Sequence, residues 1–208
     1  IPMPPGRMSG SILFKGNELI DLSERAMNRI RGREIGMIFQ DPMTSLNPTM
    51  TVGRQVEEIL AQHEKISREE CRKRSLEVLR LVGIPEAERR YGQYPHAFSG
   101  GMRQRVLIAM AIACRPSLLI ADEPTTALDV TIQAQILDII RNLQKSLGMT
   151  LLLITHDLGV VAKTAVRIAV FYAGQVVETG SCDAIFYNPS HPYTRALLGS
   201  IPRIDATR

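Results

Sequence analysis

Short apolar runs that alternate with helical patterns constrain the fold of this chain more than any other feature. Residues Ser117–Ala121 and Met149–Thr155 have the length and apolarity of buried strands, and the amphipathic stretch Val130–Leu147 lies between them. Glu34–Gln40 is a third apolar run, and it ends in a polar residue. Because strands that alternate with helices form parallel sheets with helices on both faces, we predict an α/β fold with a mostly parallel sheet.

Other patterns add two strand pairs to this core. Gly10–Leu19 predicts a β-hairpin, and Leu22–Arg33 predicts a short charged helix. Near the other end, Val166–Phe171 and Gln175–Glu178 predict a second strand pair, joined through Ala173-Gly174.

The middle of the chain has the apolar periodicity of helices. Val52–His63 and Ser67–Val82 carry helical patterns, and a further helix begins at Ser99. Loops that contain proline separate these patterns from the apolar runs on either side. We therefore predict a helical lobe, at about residues 50–115, inserted between strands.

Charge and composition exclude several classes of protein. The chain has 25 Lys and Arg residues against 21 Asp and Glu, and the two signs are interleaved, as in Arg68–Arg74, without the basic stripe typical of nucleic-acid binding. Cys71, Cys114 and Cys182 are far apart and form no Cys-x-x-Cys pair, which argues against a zinc site or a disulfide framework. The longest apolar stretch, Val106–Cys114, is about half of the roughly 20 residues that a bilayer span needs. Since the N-terminus lacks the features of a signal peptide, we expect a cytosolic protein.

Two adjacent acids follow the most strand-like run of the chain. In LLIADEPTTALDV, residues 118–130, four apolar residues lead directly into Asp122 and Glu123. A buried strand that ends in acids brings charge to the carboxyl edge of a sheet, where α/β proteins bind ligands. Two neighbouring carboxylates repel each other, so a metal or another cation is expected nearby. Asp122 would hold Mg²⁺ beside a nucleotide and Glu123 would orient a water; the alternative is a pair of surface acids.

A serine and two glycines precede the helix that begins at Ser99. Ser99 is a good N-cap, and Gly100 and Gly101 allow another backbone to approach closely. The amides and the positive end of a helix attract an anion. The alternative is a simple loop-to-helix turn without a ligand.

Two further polar residues end predicted strands. His156 follows Met149–Thr155 and could donate a hydrogen bond to a γ-phosphate, although a lone histidine is more often structural. Gln40 ends Glu34–Gln40, where its amide could contact Mg²⁺ or the attacking water.

The order of these motifs resembles the ATP-binding cassette (ABC) ATPases. By that resemblance, Gln40 corresponds to the Q-loop, Ser99–Gln104 to the signature motif, and Asp122-Glu123 to Walker B with its catalytic glutamate. Ala127-Leu128-Asp129 corresponds to the D-loop and His156 to the switch histidine. The stretches GMIFQDPMTSLNPTMTVG, FSGGMRQRVLIAMAIACRP and LITHDLGVVA are similar to ATP-binding subunits of bacterial oligopeptide and dipeptide importers, and NPSHPYTRALLGSIPR resembles the tail element of that branch. Nickel importers are close relatives and stay an open alternative.

The resemblance implies a P-loop NTPase-like ABC ATPase core with an inserted α-helical lobe, divided into four segments. Residues 1–49 would be a partial core with the hairpin and Q-loop, and 50–115 the lobe with the signature motif. Residues 116–187 would carry Walker B, the D-loop and the switch histidine, and 188–208 the importer tail.

The resemblance also implies the roles of individual residues. Catalysis would fall to Glu123 and His156, and Mg²⁺ would be held by Asp122 and Gln40. The residues expected to bind ATP or its phosphates are Gln40, Ser99, Gly100, Gly101, Gln104 and Asp129. In this family the signature helix of one ATPase faces the nucleotide of a second, so Ser99, Gly100 and Gly101 would hold a partner's γ-phosphate.

The cofactors implied are ATP and Mg²⁺. The partners implied are permease transmembrane subunits, a second ABC ATPase subunit and, indirectly, a substrate-binding protein, with no nucleic acid. The expected location is the cytoplasmic face of the bacterial inner membrane. Soluble ABC ATPases that act on nucleic acid usually have a second cassette or long coiled-coil arms, and this sequence shows neither of these nor a basic stripe, which argues against that alternative.

The sequence departs from the family pattern at its beginning. It contains no Gly-Lys pair, and hence no Gly-x-x-x-x-Gly-Lys phosphate-binding loop, and it lacks the upstream aromatic residue that stacks on adenine. We therefore expect an N-terminally truncated subunit with apolar surface exposed on Leu118–Ala121 and Leu151–Ile154. As it stands, the chain could alternatively be a non-catalytic module that supplies only the signature half of a composite ATP site.

Two smaller departures concern the second half of the chain. Val166 stands where the family usually has aspartate, and no cysteine-rich tail resembling an iron–sulfur site occurs before Arg208.

Overall fold

The computed structural model describes residues 9–41, 45–126 and 128–200, which form two compact units divided between Leu152 and Leu153. The strands are β1 (Leu13–Phe14), β2 (Asn17–Glu18), β3 (Ile35–Ile38), β4 (Leu118–Asp122), β5 (Thr150–Ile154), β6 (Arg167–Tyr172) and β7 (Gln175–Ser181). The helices of the first unit are α1 (Glu24–Ile30), α2 (Val52–His63), α3 (Arg68–Leu81), α4 (Ala87–Arg90), α5 (Gly100–Ile112) and α6 (Val130–Leu147). Those of the second unit are α7 (Leu158–Thr164), α8 (Cys182–Tyr187) and α9 (Pro192–Gly199).

The central sheet has the strand order β3-β4-β5, and β3 and β4 are parallel. This confirms the predicted α/β fold with a parallel sheet. Gly36 and Ile38 of β3 and Leu119 and Ala121 of β4 point to a buried face. Gly36 permits α5 to lie directly on β3, because a Cβ at this position would be 2.2 Å from the carbonyl oxygen of Ala111. The sheet therefore packs closely against the helical lobe at this point.

Coverage of the sheet is uneven. Leu119 and Ala121 are fully buried, so the expectation of exposed apolar surface on β4 is wrong for these two side chains. Met37 on β3 is 39% exposed and Leu152 on β5 is 49% exposed, as expected of a partly uncovered face.

The helical lobe is built around α5. This helix buries Val106, Ile108, Ala109 and Ile112, and α2 and α3 pack against it. Apolar residues occur on all sides of α5, as is typical of a helix that is buried in the core. None of the helices in the described ranges combines the length and apolarity that a membrane span requires.

Polar side chains fix the starts of most helices. A side-chain oxygen accepts a hydrogen bond from the first turn at Ser23, Ser67, Ser99, Asp129, Asp157 and Ser181. Such caps satisfy amides that have no partner within the helix. The cap at Ser23 also explains why α1 is shorter than the predicted helix over Leu22–Arg33. The helix ends at Ile30 because Arg31 is extended and Gly32 turns the chain with φ of 78°.

Two tight hairpins are present, as predicted. β1 and β2 are antiparallel around Lys15 and Gly16, and β6 and β7 are antiparallel around Ala173 and Gly174. All four turn residues have positive φ, which is the geometry that matches the twist of a two-residue hairpin. β6, β7 and α7–α9 make up the described part of the second unit together with the end of β5.

Candidate functional site

Gln40 and Glu123, 83 positions apart in sequence, meet at the carboxyl edge of the parallel sheet. Gln40 Nε2 donates a hydrogen bond of 2.9 Å to Glu123 Oε2. Because β3 and β4 are parallel neighbours, the residues that follow them emerge side by side. The register of the sheet thus brings together two residues that the sequence analysis places in one site.

Thr126 is a third member of this cluster that the sequence analysis missed. Its hydroxyl donates to the same Oε2 atom of Glu123 at 2.8 Å, and its backbone amide donates to the Glu123 carbonyl at 3.1 Å. Two donors on one carboxylate oxygen fix the orientation of the Glu123 side chain. The spacing Glu-x-x-Thr after a strand is the signal that could have revealed it, since a turn returns the third residue to the first.

The backbone of Glu123 is in the left-handed region, with φ of 45°. This conformation costs a non-glycine residue on the order of 1–3 kcal/mol, and residues of this kind cluster at functional sites. The turn directs a half-buried carboxylate away from the strand that precedes it.

Asp122 is the last residue of β4 and is half-buried. Among the residues that the structure describes, none donates a hydrogen bond to its carboxylate. The described ranges contain no group of three or more His, Cys, Asp or Glu side chains that could enclose a metal. A single carboxylate suits Mg²⁺, which usually keeps several waters and takes one or two carboxylates plus phosphate oxygens. Gln40 could add only its Oε1 atom, because Mg²⁺ takes oxygen ligands, and its Nε2 donates to Glu123.

Gln104 connects the helix α5 to this cluster. The side chain is 2% exposed, and its Nε2 donates to the Pro124 carbonyl at 2.7 Å. A buried amide that is bound to backbone positions the loop after Glu123, so this contact supports a structural role. The predicted binding of phosphate by Gln104 stays a prediction.

Ser99, Gly100 and Gly101 form the start of α5. Ser99 Oγ accepts a hydrogen bond of 3.4 Å from the Met102 amide, and both Ser99 and Gly100 are exposed. A Cβ on Gly101 would be 2.6 Å from Cγ2 of Ile132, so glycine is required there for α5 to approach α6. A Cβ on Gly100 would meet only Leu128, at an ordinary 3.7 Å. The packing of the described residues therefore explains Gly101 but not Gly100.

The remaining predicted site residues occupy helix starts. Asp129 caps α6, where its Oδ1 accepts from the Ile132 amide at 3.0 Å. Ala127, the first residue of the predicted D-loop, lies outside the described residues. His156 is exposed directly after β5 in the second unit, and the next residue, Asp157, caps α7 with hydrogen bonds from Gly159 and Val160.

The chain matches two known protein families and several curated relatives. The ABC transporter family matches residues 3–126, and the C-terminal region of oligopeptide/dipeptide transporters matches residues 177–208. The "Oligopeptide transport ATP-binding protein OppD" of Bacillus subtilis (strain 168) is 64% identical over 208 residues, which is 100% of this chain and 58% of the relative. The "Dipeptide transport ATP-binding protein DppD" of the same organism is 59% identical over 196 residues, 94% of this chain and 58% of the relative. The chain thus spans little more than half the length of these two relatives.

A solved structure supports the fold. The dimeric structure of a post-hydrolysis state of the ATP-binding cassette MJ0796, bound to ADP and Pi, is similar with a TM-score of 0.74 and 32% identity. The similarity covers 84% of this chain and 74% of that chain. With a family match over more than half of its residues and the sheet-edge cluster in place, the chain belongs to the ABC transporter family and has the fold of its ATP-binding cassettes.

Proposed function

We propose that the chain is part of an ATP-hydrolysing subunit that powers the import of oligopeptides or dipeptides. The names of OppD and DppD and the match over residues 177–208 support a peptide importer. The observation that carries the ATPase proposal is the contact of Gln40 with Glu123 at the carboxyl edge of the sheet. A strand-end glutamate that two donors hold in one orientation suits the polarisation of a water molecule.

In the proposed reaction, the water oxygen attacks the γ-phosphorus of ATP while the bond to the leaving ADP oxygen breaks. Glu123 orients the water and accepts its proton, and His156 hydrogen-bonds the γ-phosphate. Asp122 and Gln40 would hold Mg²⁺, which would neutralise phosphate charge. Such chemistry depends mostly on positioning and electrostatics, which fits the paired donors on Glu123.

Substitution of Glu123 tests this proposal. In the assembled transporter, Glu123→Gln should lower ATP turnover by at least about 100-fold, because general-base catalysis is typically worth 10²–10⁴. Nucleotide binding should be kept, since the shape of the side chain is retained. Thr126→Val serves as a second variant, which should reduce turnover less because it only loosens the orientation of Glu123. Unchanged hydrolysis in Glu123→Gln would contradict the assignment.

The proposed partners are permease subunits, a second ABC ATPase and, through the permease, a substrate-binding protein, at the cytoplasmic face of the membrane. The segment Asp41–Arg54 directly follows Gln40 and would contact the permease, so that movement of Gln40 reaches the lobe. Crosslinks from Thr49 to a cytoplasmic loop of the permease would support this arrangement. Crosslinks restricted to other surfaces would refute it.

A second candidate function is that these residues supply only the signature half of a composite site. The exposed Gly100, for which the described residues show no packing requirement, favours the approach of a ligand from outside the chain. Mg-ATP titration calorimetry on the 208-residue chain separates the two. No detectable binding supports the composite site, whereas micromolar binding shows that Asp122, Gln40 and His156 hold nucleotide without a Gly-Lys loop.

A further inference from the structure

A cavity of about 660 Å³ lies at the amino edge of the sheet, opposite to the end that carries Gln40 and Glu123. Arg33 enters it from the residues just before β3, and Arg115 from the residues just before β4. The end of α2 and the loop after it complete the lining with His63, Glu64 and Lys65. The strand β3 alone separates the two edges by about 13 Å at the usual rise of a strand. This cavity is therefore distinct from the proposed ATP site.

The two carboxylates of the lining are already neutralised by cations from outside it. Glu34 forms an ion pair of 2.7 Å with Lys15, and this contact lowers the pKa of Glu34. Arg74 holds Glu64 with two hydrogen bonds, one of them 2.9 Å from Nη2 to Oε1, and lowers the pKa of Glu64. Both acids are thus hydrogen-bonded to cations from outside the lining, and they attract the lining cations only at longer range: Arg33 acts on Glu34 and Glu64, and Arg115 acts on Glu64.

Three cations of the lining have no such partner. Arg33, Lys65 and Arg115 are exposed, and in the described ranges none of them lies within 4.0 Å of a carboxylate oxygen. Each cation comes from a different segment of the chain, so the fold rather than the local sequence collects them. Burial and the nearby Arg33 lower the pKa of His63, which favours the neutral form of its imidazole.

The backbone around the cavity is constrained in ways that hold this arrangement. Arg115 has φ of 52°, and its amide donates to the Ile112 carbonyl at 2.8 Å. Gly32 packs against His63, because a Cβ there would be 2.7 Å from Nε2 of the imidazole. The wall from which Arg33 projects is thus fixed to the end of α2.

We propose that this cavity, defined by Arg33, Lys65 and Arg115, binds a compact, multiply charged oxyanion such as a diphosphate or a small polycarboxylate. Guanidinium groups bind both phosphate and carboxylate through paired N–H donors. The volume lies within the range of small-molecule sites. The lining includes no Phe, Tyr or Trp side chain, so recognition would depend on charge rather than on stacking against a base.

Calorimetric titration of the full chain with inorganic pyrophosphate, and in parallel with citrate, tests the proposal. We expect saturable binding at one site. Arg33→Gln and Arg115→Gln should each weaken it by roughly tenfold or more, because a hydrogen bond to a charged group is worth about that factor. Arg31→Gln is the matched control: it removes the same charge two positions away, from an exposed residue paired with Glu24 outside the lining.

The pattern across the variants decides the outcome. Equal weakening of binding by Arg31→Gln and Arg33→Gln would show diffuse attraction to a positive surface and would overturn the proposal. Binding that Arg33→Gln does not affect would also overturn it, and so would the absence of binding by both anions. Preference for pyrophosphate identifies a phosphate site, and preference for citrate identifies a carboxylate site. Circular dichroism checks that each variant is folded. If an arginine variant does not fold, Lys65→Gln replaces it, because Lys65 lies on a loop outside the helices and strands.

Discussion

Glu123 is the residue at which sequence, backbone and hydrogen bonding converge. Its positive φ directs the side chain out of the line of β4, and Gln40 and Thr126 then bind one oxygen of the carboxylate. The cost of the backbone conformation is offset by the turn hydrogen bond from the Thr126 amide. A carboxylate that is oriented before the substrate arrives needs less reorganisation during the reaction, which is how preorganised groups contribute to catalysis.

At the residue scale, the two signature glycines should differ in their effect on stability. Gly101→Ala should destabilise the protein by about 1–3 kcal/mol, because its Cβ would be 2.6 Å from Ile132 Cγ2, close to the backbone of α6. Gly100→Ala should leave the free energy of unfolding unchanged or slightly raised, since alanine favours a helix. Urea unfolding followed by circular dichroism measures both. Equal destabilisation by the two substitutions would show that the close approach of α5 to α6 does not exclude a side chain at position 101.

At the element scale, a single buried amide organises the loop before α2. Gln55, 3% exposed, accepts a hydrogen bond from the Asn47 amide at 2.9 Å and donates to the Asn47 and Met50 carbonyls at 3.0 Å each. The loop thereby gains partners for backbone groups that the strands and helices do not satisfy. Because this loop lies in the segment proposed to contact the permease, α2 and the loop would move together.

Replacement of Gln55 should therefore loosen this loop. Gln55→Leu removes the partner of the Asn47 amide and of the Met50 carbonyl, whereas the Asn47 carbonyl keeps a hydrogen bond from the Met50 amide. The substitution should lower the free energy of unfolding by about 2 kcal/mol. Gln62→Leu is the control, because this glutamine is exposed on the same helix and its loss should change stability by less than about 0.5 kcal/mol. The denaturant midpoints of the two variants would be compared, and similar values would show that the hydrogen bonds of Gln55 do not stabilise the loop.

The contribution of the α2–α3 junction to the free energy of unfolding should depend on pH. Arg74 lowers the pKa of Glu64 by hydrogen bonding, and the pair is only about a quarter exposed, with side-chain exposures of 21% and 25%. A carboxyl group whose pKa is lowered on folding stabilises the protein above its unfolded pKa, and this contribution disappears as the pH falls through the folded value.

The loss should amount to about 1 kcal/mol and should begin as the pH falls below about 4.5, the ordinary pKa of a glutamate, measured by urea unfolding at several pH values. Arg74→Gln should flatten this part of the profile. Arg89→Gln, which removes a more exposed pair with Glu86, should leave this part of the profile unchanged. An unaltered acid profile in Arg74→Gln would exclude the pair as its source.

At the scale of the whole molecule, the exposed apolar side chains of the sheet should govern solution behaviour. Met37 and Leu152 lie on strands yet face solvent, and exposed apolar patches promote association. The 208-residue chain should therefore associate in size-exclusion chromatography with light scattering. Met37→Gln with Leu152→Gln should raise the monomer fraction, whereas Tyr187→Gln, on the second unit, should not. A monodisperse monomer without substitution would contradict this expectation.

The outline of the fold is predictable because local signals define its elements. Val52–His63 and Val130–Leu147 have the predicted bounds, since apolar periodicity marks both helices, and Asp129 and Gly148 cap the two ends of the second one. Contacts between distant segments are not predictable in this way. The burial of Gln104 against the carbonyl of Pro124, 20 positions away, has no periodic signal. The cavity at Arg33 and Arg115 was missed because its cations come from separate segments that only the folded sheet brings together.

The hydrogen bond between Gln40 and Glu123 sets a condition on any change in this region. A ligand or partner that draws the Gln40 amide elsewhere must supply the free energy of that bond, and it thereby loosens the glutamate. By thermodynamic linkage, whatever holds Glu123 more firmly in its present orientation also resists the departure of Gln40 to the same extent. The orientation of Glu123 and the position of Gln40 are thus coupled equilibria, and a free-energy change imposed on either one is felt equally by the other.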